Sequence, residues 1–180
     1  MKGIKYIIAF LTLSSGYFLT KAQSVDTQDA SRITELLALQ PTETSQDLEV
    51  AMQLMERFTT TDITTLLAGL VPAGGDNAAI EYVTNSYSFH VVLAGKEKQR
   101  ATFIAGAIDA LTTLENKDNK GFIIQLLQQA GDETAVAPLS SYLHDSYLCE
   151  KAARALARIG TDGAGKALTA ALPQRVVHLG

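Results

Sequence analysis

Residues 131–172 read GDETAVAPLSSYLHDSYLCEKAARALARIGTDGAGKALTAAL. Setting Gly131 on Gly160 brings Ala135 onto Ala164, Leu139 onto Leu168 and Leu143 onto Leu172, a constant offset of 29 residues. Within one copy, 133–143 predicts a helix, His144-Asp145 a turn, and 146–159 a second helix. Leu148, Ala152, Ala155, Leu156 and Ile159 share one face of that second helix. Gly131-Asp132 and Gly160-Thr161-Asp162 punctuate the copies. The glycine lets a helix end in the left-handed conformation, and the next side chains offer an oxygen to cap the helix that follows. Asp145 is placed to cap 146–159 in the same way. Pro138 removes one backbone donor and is expected to bend the first helix. A helix pair of this length, repeated, is one unit of an α-solenoid. The two copies are 131–160 and 161–180, the second incomplete.

Outward from this stretch the helical period continues. In 97–115, Ile104, Ala107, Ile108, Leu111 and Leu114 fall on one face. Phe122, Ile123, Leu126 and Leu127 mark a shorter helix. Earlier candidates are 28–39, 46–58, 61–70 and 77–93. The last contains Tyr87, Phe89, Val91 and Val92, so a strand over 87–93 competes with the helix there. Gly74-Gly75-Asp76 breaks the chain before Asn77, and Thr59-Thr60-Thr61-Asp62 forms a capping cluster before Ile63. The breaks are short, so successive helices should pack as antiparallel hairpins. The fold class expected is all-α.

Gly131, Asp132, Ala135, Leu139, Leu143 and Asp145, followed by Ala152, Ala153, Ala155, Leu156, Ile159 and Gly160, carry a family resemblance. The stretch resembles HEAT-like repeats of the short class first noted in phycobilin lyases, over about 40 residues. It departs from that pattern at Cys149-Glu150-Lys151, where a Val-Arg pair is usual. Residues 28–130 resemble more divergent hairpins of the same solenoid, with a longer unit around 77–115. The resemblance implies a scaffold or protein-interaction role for a domain spanning 23–180. The layout also resembles the N-terminal helical region of exported, multidomain sugar-degrading proteins of Bacteroidetes.

Residues 1–22 stand apart. Lys2 and Lys5 precede an apolar run from Tyr6 to Phe18, and Thr20-Lys21-Ala22 offers small residues before Gln23. This is the pattern of a secretory signal peptide. A membrane span needs about 20 predominantly apolar residues, and this run is shorter and interrupted. No cysteine follows it to accept a lipid. Export to the periplasm or the extracellular space is therefore expected, with no stable membrane anchor after cleavage. Cleavage removes three lysines and no acids, which leaves 12 basic and 19 acidic residues and a formal charge of −7. An acidic domain repels polyanions, so nucleic acid is excluded as an expected partner. One Cys rules out an intramolecular disulfide, and Cys149 is expected to be a small core residue.

Motifs of chemistry are scarce. The three histidines, His90, His144 and His178, are far apart, and none has a second His at zinc-site spacing. His90 reads as a partly buried, satisfied residue, and His144 as one favoured near a helix C-terminus. Ala73-Gly74-Gly75-Asp76 lacks the Gly-Lys-Ser/Thr ending of a phosphate loop. Glu43, Asp47 and Glu49 read as a solvated acidic segment. No catalytic residue, metal or cofactor is expected. The one surface feature is a basic stripe, Lys151, Arg154 and Arg158, on the second helix of the repeat. In HEAT-like solenoids the second helices line the concave surface, so the stripe is a candidate site for an acidic segment or a carboxylate. The competing reading is a solvated face on which Glu150 pairs with Arg154. The expected function is a non-catalytic interaction module for a protein partner or an adjacent domain. The alternatives are the front of a longer secreted sugar-degrading hydrolase and a lyase of the phycobilin type. The last helix, 164–172, has no following helix to pair with. Leu168, Ala171 and Leu172 are therefore expected to be exposed or covered by a second copy.

Overall fold

The hydrophobic period found along the sequence is realised as helices. The computed structural model describes residues 31–73 and 75–176, with side chains to Leu172, and these residues contain helices and no strand. In chain order they are α1 (31–38), α2 (Ser45–Met55), α3 (Thr60–Ala68), α4 (Ala78–His90), α5 (Glu97–Thr113) and α6 (Lys117–Ala130). A 3-10 turn at Glu133–Ala135 runs into α7 (Val136–Ser140), followed by α8 (Cys149–Ile159) and α9 (Asp162–Val176). The segments 1–30 and 177–180, and with them the expected signal peptide and His178, lie outside the described residues.

Local chemistry sets the boundaries. Thr44 and Asp47 form a reciprocal capping box at the start of α2, and Thr59 and Asp62 form another at α3. Asn116 caps α6 by accepting from the Asn119 N–H. The segment 87–93 does not form a strand. α4 continues to His90 because Ile80, Val83, Thr84, Tyr87 and Val91 lie buried at helical spacing, while Phe89 and Val92 face solvent. An alternating pattern would have buried Phe89 with Tyr87 and Val91.

Helices next but one in the chain pack on each other. α2 lies on α4, α4 on α6 and α6 on α8; α3 lies on α5 and α7 on α9. Neighbours α5 and α6, α7 and α8, and α8 and α9 also touch. α5 sits deepest. It buries Ile104, Ala107 and Leu111 from the expected stripe and adds Phe103, Gly106 and Ala110, because α3 and α6 cover two of its sides. The approach of α3 to α5 depends on Gly106: a Cβ there would lie 2.6 Å from Ile63 Cβ and 2.9 Å from the Thr60 carbonyl oxygen. Any side chain would force the helices apart.

Several expectations from the sequence need correction. The helix expected at 133–143 is the short 3-10 turn plus α7, ending at Ser140. Pro138 therefore falls in the first turn of α7, where its missing donor costs little, and no bend of a longer helix arises. The helix expected from 146 begins at Cys149, after a turn tied by Asp145, whose Oδ1 accepts from the backbone N–H groups of Tyr147 and Leu148. Gly160 ends α8 in the left-handed conformation as expected, at φ 67°. Gly131 is extended instead; it is required because a Cβ would lie 2.3 Å from the Leu127 carbonyl oxygen. Cys149 is half-buried at the start of α8 rather than a core residue. α9 is not unpartnered either. It rests on α7 and α8 through buried Ala164 and Ala171 and half-buried Leu168, and Leu172 alone of the expected set stays 63% exposed.

Candidate functional site

The basic stripe sits where the helical spacing puts it, on α8, and its three members differ. Arg154 is exposed and its guanidinium donates to the Glu150 carboxylate one turn earlier. An exposed pair of this kind contributes about 0.5 kcal/mol or less. Lys151 is half-buried, and its aliphatic stem lies against Gly121 of α6, 3.1 Å from where a Cβ would stand. Its burial is that of a snorkelling stem. Arg158, in the last turn, is exposed. The side chains share one helix face.

A more enclosed feature lies elsewhere. The connection from α1 to α2, the N-terminal half of α4 and Phe122 of α6 enclose an open groove of about 630 Å³. Pro41, Ala79, Tyr82 and Phe122 give it an apolar wall, while Asp76, Glu81, Asn85 and Gln40 supply polar groups. Among the described residues no Lys or Arg lines it. Tyr82 is 43% exposed, and its hydroxyl accepts from Thr42, which holds the ring between the two helical segments. Asp76 Oδ1 accepts from the Ala78 N–H and closes the turn into α4. Glu81, one turn further, is exposed and makes no ion pair among the described residues. A shallower depression of about 410 Å³ continues from Asp76 and Glu81 to Asp118 and Asn119.

The remaining polar clusters are committed to holding helices together. Glu56 accepts from His90 Nε2 at 2.7 Å and from Lys96, joining the end of α2 to both ends of the α4–α5 connection. The Lys96 bond, and then the His90 bond, hold the Glu56 carboxyl below the usual carboxylate range. His90 is thus the satisfied, half-buried residue the sequence suggested, and its ring stacks on Tyr87. Asp145 pairs with Lys117 at 2.9 Å, and that bond with two backbone donors pulls its pKa down to about 2. It is an anchored turn residue, and neighbouring His144 is exposed. Asp47 of the acidic segment is engaged in its capping box, and Glu43 and Glu49 are exposed. Among the described residues no group of three His, Cys, Asp or Glu side chains is arranged to hold a metal ion, and no helix is long and apolar enough to cross a membrane.

Comparison with known proteins finds no matching family model, no matching curated protein and no matching solved structure. The groove is the feature that reading the sequence missed. Its signal is present but faint: Tyr82 is an exposed aromatic position of α4, and Phe122 a half-buried one of α6. Only the packing of α4 on α6 reveals that they share a wall.

Proposed function

We propose that the chain is an exported α-solenoid of HEAT-like hairpins that acts as a non-catalytic interaction or scaffold module. The spacing of its long-range side-chain bonds carries this reading. Arg32–Asp62, Tyr87–Met55, His90–Glu56, Arg100–Ala130, Tyr142–Leu111, Lys117–Asp145 and Tyr147–Asp118 join residues 28 to 34 positions apart. That is close to the 29-residue offset read from 131–172. The separations widen to 40–49 at Thr42–Tyr82, Thr64–Gly106, Lys96–Glu56 and Asn119–Leu70, around the longer unit expected at 77–115. A helix that bonds to its counterpart one unit away is what a one-dimensional stack requires. The packing of alternate helices supports the same reading.

Such a stack displays long exposed helix faces, and its work is recognition. The stripe Lys151, Arg154 and Arg158 then serves an acidic partner segment. The intact mass of the exported protein tests export: cleavage after Ala22 gives the mass of a chain that starts at Gln23. Capture of partners from the exported fraction, with wild type and with Arg154→Glu/Arg158→Glu, tests the stripe. Reduced recovery with the double variant is expected. Unchanged recovery removes the stripe from the interface.

A further inference from the structure

We infer that the groove between α4, the α1–α2 connection and α6 receives a Lys- or Arg-bearing segment of a partner protein. This deepens the interaction-module reading and rests on it. The charge of the groove is one-sided among the described residues: Asp76 and Glu81 line it, and no described cationic side chain does. Against them stands the N-terminus of α4, equivalent to about half a positive charge. Two carboxylates outweigh it, so the groove is net negative. The walls suit the stem of a basic residue. Tyr82, whose ring is held by Thr42, and half-buried Phe122 offer faces for the methylenes and for a cation–π contact. Asn85 adds an amide, and Glu81 is a carboxylate with no ion pair among the described residues. A volume of about 630 Å³ in an open trough takes one or two side chains of an extended segment. Anionic ligands are disfavoured by the same carboxylates, and a purely apolar occupant would leave them without compensation.

The test is an NMR titration of the isotope-labelled protein with N-acetyl-Gly-Arg-Gly-amide. The same peptide with citrulline in place of arginine is the control; it keeps the shape and removes the charge. Saturable shifts at the Tyr82, Asn85 and Phe122 amides are expected with the arginine peptide. The citrulline peptide should bind about threefold or more weakly, as should the arginine peptide to Glu81→Gln. Glu81 is exposed and outside the core, so the variant should otherwise keep the wild-type spectrum. No saturable shift in the groove, equal binding of the citrulline peptide, or indifference to Glu81→Gln overturns the proposal. Partner capture with wild type, Glu81→Gln and Tyr82→Ala separates the two readings. Equal recovery with all three proteins overturns the groove and leaves the module standing. Arginine-peptide binding without any captured partner supports the groove and counts against the module. Self-association in sedimentation that is lost with both Glu81→Gln and Arg158→Glu would make a second copy the occupant, and the proposed partner would be wrong.

Discussion

The front of the molecule, α1 to α5, and its end, α7 to α9, are held together by different means. At the front, polar bonds bridge helices. Asp62 is fully buried at the start of α3; it accepts two bonds from Arg32 of α1 at 2.8 and 3.0 Å and closes its own capping box. Glu56 gathers His90 and Lys96, and the buried Tyr87 hydroxyl donates to the Met55 carbonyl. Burial pushes the Tyr87 hydroxyl pKa well up, with the nearby Glu56 charge adding to the effect. At the end, Ala135, Leu139, Ala152, Ala155, Leu156 and Ala164 are buried against one another, and the Glu150–Arg154 pair is a local surface bond. Small residues let α7, α8 and α9 approach one another, while the polar ties of this region run from the α7–α8 connection outward to α5 and α6, through Tyr142–Leu111, Lys117–Asp145 and Tyr147–Asp118. The front helices, with fewer alanines, use directional bonds among themselves to fix how they sit.

Substitutions can break this comparison. Asp62→Ala should have the largest effect. It removes the buried carboxylate that accepts two bonds from Arg32 and takes the cap from α3, with a loss of about 4 kcal/mol in denaturant unfolding. A loss below about 1 kcal/mol would mean that the front does not depend on its polar ties. Leu156→Ala is the corresponding change at the end, where a fully buried side chain is removed. It should cost about 3 kcal/mol.

Glu56→Gln is smaller and carries a pH signature. The folded carboxyl is held below its usual range, so its contribution is present above its unfolded pKa and fades as pH falls through the lowered folded value. At neutral pH the variant should be less stable by about 1 kcal/mol or less, and the gap should close in acid below pH 4.5. Unfolding curves at pH 7 and pH 3 check it; a gap that persists in acid would show that the Glu56 charge is not what ties α2 to the α4–α5 connection. Arg154→Ala should be the smallest effect, under about 0.5 kcal/mol. A larger loss would show that the stripe belongs to the fold rather than to an outer surface.

How far the sequence could be read follows the same division. α5, α8 and α9 were visible because Ala and Leu recur at helical spacing, and the capping cluster at Thr59–Asp62 was visible because its chemistry is local. Asp62 as the buried partner of Arg32 was not visible, since nothing in either neighbourhood names the other 30 residues away. The start of α6 at Lys117 was hidden for a related reason. Its first turn is polar, and buried Asn119 is satisfied by the Leu70 carbonyl from a distant connection. Leu143 and Leu172, aligned by the 29-residue offset in the sequence, end 6% and 63% exposed, because alignment in sequence does not supply equivalent neighbours.

The sequence by itself determined that the described chain would be helical and where most of its helices lie. Those are consequences of hydrophobic period and of caps that act within one turn. The tertiary structure alone decided which helix lies on which, why Gly106 and Gly131 can carry no side chain, and that Tyr82 and Phe122 meet across a groove that also holds Asp76 and Glu81. Those depend on distances between residues tens of positions apart, which packing sets and local preference does not encode.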